Sequence, residues 1–260
     1  MPLLASDAAR FLIGSGVGAI FGSFLGALVM RWPRGESVMR GRSKCDHCGR
    51  TLRAVELIPL LGSLLSRGRC RHCGGLIDPA HATMELGAAV IGGLSLWLLP
   101  LPAAILFMIG GWLLLMLAKL DARHFWLPDR LTFPLAALGL TFGDWVLPAP
   151  FPDRLIGAAL GYGTLFAINM LYRRLRGRDG LGLGDAKLLG AIGAWTGWQL
   201  LPLVLVCASL AGLAWALALK LRGVEVERTT RLPFGTFLCL AVLPAAWLGA
   251  ALGLMTVTPY

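Results

Sequence analysis

FLIGSGVGAIFGSFLGALVM, residues Phe11–Met30, is twenty residues without a charge. As a helix it rises about 30 Å, the hydrocarbon thickness of a bilayer. The preceding MPLLASDAAR has no basic n-region, so the stretch reads as a first membrane span and not as a cleaved signal peptide. The chain around it keeps this character: of 260 residues, 57% are hydrophobic, 15% are charged and 34 are glycine. That balance excludes an ordinary soluble domain and predicts an all-α polytopic membrane protein.

Working outward, seven more apolar runs are long enough to span, allowing for tilt and short helices. They are Thr83–Leu99, Leu101–Ala118, Leu131–Leu147, Leu155–Tyr172, Ala186–Leu200, Leu201–Leu219 and Phe234–Met255. The expectation is therefore about eight transmembrane helices, with small residues (Gly157, Ala158, Gly161, Gly163, Gly190, Gly193) favouring close packing of the fifth and sixth. Charge tests the count independently. Of the 24 Lys and Arg, 22 fall in Arg31–Arg71, Lys119–Arg130, Arg173–Lys187 and Lys220–Arg231, leaving only Arg10 and Arg154. By the positive-inside rule those four loops are cytoplasmic and both termini periplasmic. The net charge of +10 then follows from topology and contact with anionic lipid, and calls for no nucleic-acid partner.

The one sizeable polar segment gives the domain organisation: a first helix to residue 30, a cytoplasmic insert over 31–82, and a bundle over 83–260. The insert carries CDHCG at Cys45–Gly49 and CRHCG at Cys70–Gly74. Two Cys-x-x-Cys pairs at this separation predict a zinc-ribbon-like module in which Cys45, Cys48, Cys70 and Cys73 hold one structural zinc. His47 and His72 are alternative ligands, but four thiolates already close a tetrahedron. A reducing compartment disfavours disulfides. Between the knuckles, VELIPLLGSLLSRGR is apolar enough to form a short helix or lie against the membrane, and Glu56 within it reads as a solvated acid. Cys207 and Cys239 read as small core residues of their spans.

Two acids carry the chemistry. In GLGLGDAKLLG, Gly180–Gly190, Asp185 follows a glycine-rich turn at the mouth of an apolar run. Gly182 and Gly184 lack a Cβ and can take positive φ, so another backbone could approach Asp185 closely. The bland alternative is a helix N-cap. Asp121 closes the third run, where the alternative is an acid balancing Lys119 and Arg123. With the N-terminus outside, the third span runs inward and the sixth outward, so both acids sit at the cytoplasmic edge of the hydrocarbon. Two dehydrated carboxylates side by side cannot both stay charged, so the pair shares one proton. That is the arrangement with which an aspartic protease activates water and polarises a peptide carbonyl. Asp129, after Leu127-Pro128, reads as a helix cap. His124 is an interfacial residue near enough to relay a proton, and Asp144 an outer interfacial acid. Only four His are present (His47, His72, His81, His124), which gives little support to a Ser or Cys nucleophile. A different class, a proton-coupled transporter, would use the acids as a relay, but the span centres are almost purely Leu, Ala, Gly, Ile and Val.

GSFLGALVMRWP at Gly22–Pro33, ELIPLL and RGRCRHC around the knuckles, LDARHFWLPDRLT at Leu120–Thr132 and GLGLGDAKLLG occur in an order that resembles the type IV prepilin peptidases, membrane aspartyl proteases of the GxGD kind. The resemblance spans nearly the whole chain. It implies a multi-pass enzyme of the bacterial inner membrane that cleaves the leader of type IV prepilins or type II secretion pseudopilins at the cytoplasmic face. Asp121 and Asp185 would be the catalytic pair, Gly182 and Gly184 the supporting turn, and the four Cys the metal tetrad. It further implies N-methylation of the new N-terminal residue with S-adenosylmethionine, with a peptidase lacking that activity as the alternative. The chain departs from the family pattern at GSFLGA, where GSFLNV is frequent, and at IDPAHATME (Ile77–Glu85), where ISPRYPLVE is common. No glycine-rich nucleotide fingerprint locates the methyl donor.

Overall fold

Helices form where the apolar runs lie, in a computed structural model that describes residues 6–38, 43–45, 47–177, 182–224 and 231–254. Gly180, Leu181 and Met255 fall outside the described residues. In chain order the helices are α1 (Asp7–Arg31), α2 (Leu61–Leu65), α3 (Pro79–Leu98), α4 (Leu101–His124), α5 (Asp129–Phe142), α6 (Phe151–Arg176), α7 (Leu183–Thr196), α8 (Leu201–Leu221) and α9 (Phe234–Ala251). Apart from the short α2, these eight correspond one to one with the eight apolar runs. Their ends have local causes. Ser6 caps α1 by accepting from the Ala9 N–H, Asp78 caps α3 ahead of Pro79, and Gly177 ends α6 in the left-handed conformation.

Five of the eight, α1, α4, α6, α8 and α9, are long and apolar enough to cross a membrane. By contrast α5 and α7 have 14 residues each, a rise of about 21 Å, short of a full hydrocarbon layer. The chain divides into two compact units, Met1–Met116 and Leu117–Tyr260, with α4 passing from the first to the second.

In the first unit α1 and α3 pack backbone to backbone. Gly14, Gly18, Gly22 and Gly26 of α1 are buried at every fourth position. A Cβ on Gly14 or Gly18 would run into the carbonyls of Gly92 and Ala88 of α3. Glycine is thus required by the close approach, the usual means by which membrane helices gain contact without a hydrophobic drive. Trp112 of α4 donates to the Ala88 carbonyl at 3.2 Å and stacks on Phe21 at 4.9 Å. Arg10 donates to the Leu99 carbonyl at 2.6 Å, closing the C-terminus of α3.

In the second unit α7 is the core. Ala186 and every residue from Leu188 to Thr196 are buried. Its glycines meet α6 as expected: Gly193 lies against Gly157, and Gly161 against Leu189 and Gly190, whereas Gly163 faces open space. Trp195 fastens α7 to α5 by donating to the Leu135 carbonyl at 2.7 Å. Arg154 is buried, donating to the Gly139 carbonyl at 2.8 Å and pairing with Asp144 at 3.3 Å. Both residues expected on the outer side are therefore explained by each other.

Candidate functional site

The four-cysteine module is built from two copies of one turn. Cys45 donates its N–H to the Arg50 carbonyl and accepts from Gly49; Cys70 donates to Gly75 and accepts from Gly74. Gly49 and Gly74 sit at φ of 69° and 70°, the left-handed geometry that each knuckle needs from its glycine. An isolated antiparallel bridge closes each turn, Lys44 with Thr51 and Arg69 with Leu76. The four sulfurs lie within 4.8 Å of one another, with Cys45 and Cys73 at 3.9 Å. A tetrahedral zinc with Zn–S of about 2.3 Å needs sulfur separations near ~3.8 Å, so Cys45, Cys48, Cys70 and Cys73 can hold one zinc ion in a closed, structural site. Backbone N–H groups of Cys73 and His72 pull the Cys70 thiol down to about 6, whereas, against the Gly75 N–H, desolvation and the neighbouring thiols push Cys73 up to about 11, so Cys70 is the thiolate that forms first. His47 joins one knuckle to the other: its Nε2 lies 3.2 Å from the Leu76 carbonyl and its ring fills the space beside Gly75. Glu56, expected to be solvated, is instead a structural acid, taking the Arg50 guanidinium at 2.5 Å and the Arg53 N–H at 2.7 Å.

The acids meet in the second unit. Asp121, 5% exposed, is in the last turn of α4; Asp185 is half-buried in the first turn of α7. Between them comes the start of α9. The point where a Cβ on Gly235 would sit is 3.0 Å from Asp185 Oδ1 and 3.1 Å from Asp121 Cγ. The carboxyl groups thus face each other across a bare stretch of backbone. Thr236 donates its N–H to Asp121 Oδ2 at 2.7 Å; its hydroxyl lies 3.1 Å from the same oxygen and 2.9 Å from the Ala118 carbonyl. That N–H is one of the unpaired donors at a helix start, and here a carboxylate uses it. It keeps Oδ2 in an acceptor role and leaves Asp121 Oδ1 without a hydrogen bond from Thr236.

Several sequence expectations change here. Asp185 does not cap its helix: Gly182 is the N-cap, and Asp185 lies three residues inside. Gly182 has φ of −70° and Gly184 is helical, so neither takes positive φ. What they supply is room. A Cβ on Gly182 would be 3.3 Å from Asp185 Oδ2, and one on Gly184 would be 3.0 Å from the Leu127 side chain, which returns from the α4–α5 loop. Pro128, not Asp129, precedes α5. The Asp129 carboxylate instead takes Lys187 of α7 at 2.7 and 3.0 Å, tying α5 to the helix that carries Asp185. His124 is exposed in the last turn of α4. Gly235 and Thr236 were not anticipated. The available signal was LPFGT, a helix start directly after the last basic loop and so on the same side as the acids.

Family models match both halves. Residues 17–99 match the bacterial peptidase A24 N-terminal domain, and residues 108–217 match the type IV leader peptidase family. A Pseudomonas putida prepilin leader peptidase/N-methyltransferase is 34% identical over 266 residues, covering 92% of this chain and 91% of the relative. The chain belongs to the type IV leader peptidase family. Relatives of the same description are 36% identical over 200 residues in Stutzerimonas stutzeri and 42% over 199 in Burkholderia pseudomallei. Those alignments cover 76% of this chain and 69% and 64% of the relatives' lengths. No solved structure matches. Within this leader peptidase the N-terminal match contains all four cysteines, and the second contains both acids but stops short of Gly235 and Thr236.

Proposed function

We propose that the chain is a membrane aspartyl endopeptidase that cleaves the leader of type IV prepilins or type II secretion pseudopilins, with Asp121 and Asp185 as its catalytic pair. The observation that carries this is the approach of the two carboxyl groups across Gly235. The ionised member takes a proton from a water molecule, whose oxygen attacks the scissile carbonyl carbon, while the protonated member donates to the carbonyl oxygen. Collapse of the resulting gem-diol breaks the C–N bond and passes a proton to the leaving amine. Gly182, Gly184 and Gly235 let Leu127 and the two carboxyl groups close in on the backbone, and Thr236 fixes the orientation of Asp121.

Charge asymmetry of the loops supports an inner-membrane enzyme with periplasmic termini and with the four-cysteine module and catalytic edge facing the cytoplasm. Zinc in that module is structural, since four thiolates leave no open position for substrate. The relatives' names support a second step, methylation of the new N-terminal amine, with S-adenosylmethionine supplying the methyl group. Among the described residues no cradle for that donor stands out. The cleavage reading is tested by reconstituting the protein with a pilin precursor: Asp121→Asn and Asp185→Asn should each abolish processing while the protein still inserts. Mass spectrometry of the product tests methylation, an unmodified amine reducing the protein to a peptidase.

A further inference from the structure

The segment Val55–Leu65 is built inside out. Its polar contacts face inward: Glu56 takes Arg50 and the Arg53 N–H, and the Leu60 N–H donates to Glu85 Oε2 at 2.8 Å. Gly62 is buried against the Glu56 carbonyl, where a Cβ would not fit. The apolar side chains point out. Val55, Leu57, Ile58, Leu61, Leu64 and Leu65 are all exposed, Leu64 to 73%. In water such a contiguous patch would be a liability; an apolar exterior over a hydrogen-bonded interior is what a bilayer demands.

Three observations identify the bilayer as what covers it. First, the Leu60–Glu85 bond pins the segment to α3, six residues past the helix start, or about 9 Å along its axis. Leu86 and Val90 of α3 are exposed alongside, and α3 packs along α1, a helix with the length and composition of a span. The segment is thereby tied to a helix that itself exposes apolar side chains and packs along a helix able to span. Second, exposed Arg53, Arg67, Arg69 and Arg71 flank the patch, and the one acid between Arg53 and Arg71 is Glu56, already paired with Arg50. That pattern complements anionic headgroups. Third, the Glu56 and Gly62 contacts preform the crest, so seating it requires no folding of a loose chain.

We propose that Val55–Leu65 is a membrane-seated element. Its leucines and Ile58 enter the boundary between headgroups and acyl chains, its flanking arginines engage anionic lipid, and it thereby fastens the four-cysteine module to the membrane surface. This role is independent of the assignment of the two acids.

The test uses the full chain with a photo-crosslinking residue at Leu64, and separately at Leu240 of α9, 62% exposed, as a lipid-facing reference. The protein is placed in vesicles of phosphatidylcholine with phosphatidylglycerol, irradiated, and its adducts identified by mass spectrometry. The expected result is a lipid adduct at Leu64 in a yield comparable to that at Leu240. The yield should fall about fivefold or more when phosphatidylglycerol is omitted, or when Arg67→Gln and Arg69→Gln are introduced together. No lipid adduct at Leu64 while Leu240 labels lipid would overturn the proposal. So would transfer of the Leu64 crosslink from lipid to an added pilin-type peptide, which would make the patch a substrate surface. A yield indifferent to phosphatidylglycerol and to both arginines would overturn the anionic-lipid contact.

Discussion

Cys45 and Cys73 are 28 residues apart and their sulfurs 3.9 Å apart; Asp121 and Thr236 are 115 residues apart and joined by a 2.7 Å hydrogen bond. The metal module is closed by its own turns, each completed by a following glycine and a single β-bridge. Its partners are close in the chain, so little loop entropy opposes its assembly, and a zinc ion held by the four thiolates would supply further drive. The acid pair has no such local logic. It exists only when the last turn of α4 and the first turns of α7 and α9 converge, and α7 is held in place by glycine contacts with α6 and an indole bond to α5. A defect in the first should stay local, and a defect in the packing of the second should be felt in catalysis.

The largest contrast is expected from the metal. Cys70→Ser should abolish zinc binding, read by elemental analysis of the purified protein as one zinc per chain falling to none, and should raise amide exchange across residues 43–76 while α7 stays protected. Loss of protection in α7 would break the distinction. Next, Gly235→Val puts a branched side chain between the carboxyl groups, and processing should fall on the order of 10²-fold with insertion intact, because misplacing reacting groups by an ångström has that consequence. Thr236→Val removes the hydroxyl beside Asp121 but keeps the backbone donor. A loss of about tenfold is expected in the same assay, with Thr236→Ser retaining most activity. The smallest effect is at Asp129→Asn. Its pair with Lys187 is partly exposed, 51% and 32%, so thermal or denaturant unfolding should report a change within about 1 kcal/mol.

Legibility followed the same division. The four-cysteine module could be read almost completely, because Cys-x-x-Cys-Gly encodes ligands and the positive-φ turn together; His47 and Glu56 escaped because their partners, Leu76 and Arg50, sit on other turns. The eight helices were visible as apolar runs. Their lengths were not, since α5 ends in a single 3-10 turn at Gly143–Trp145, and α7 stops at Gly197, where φ is 74°. At the acids, residue type and matched depth marked Asp121 and Asp185, and the missing Cβ of Gly182 and Gly184 was legible as a place of close approach; the positive φ they could also take is not used. For Gly235 and Thr236 the sequence offered only the placement of LPFGT as a helix start after the last basic loop; their importance lies in what α4 and α7 bring against them, which LPFGT itself does not record.

The central claim is that two distant carboxyl groups act as one unit. The direct measurement is the processing rate of a pilin precursor in proteoliposomes for Asp121→Asn, Asp185→Asn and the double variant. Each single change should cost on the order of 10³-fold, and the double should be no worse than either single. Full processing by one single variant, or losses that multiply in the double, would contradict it.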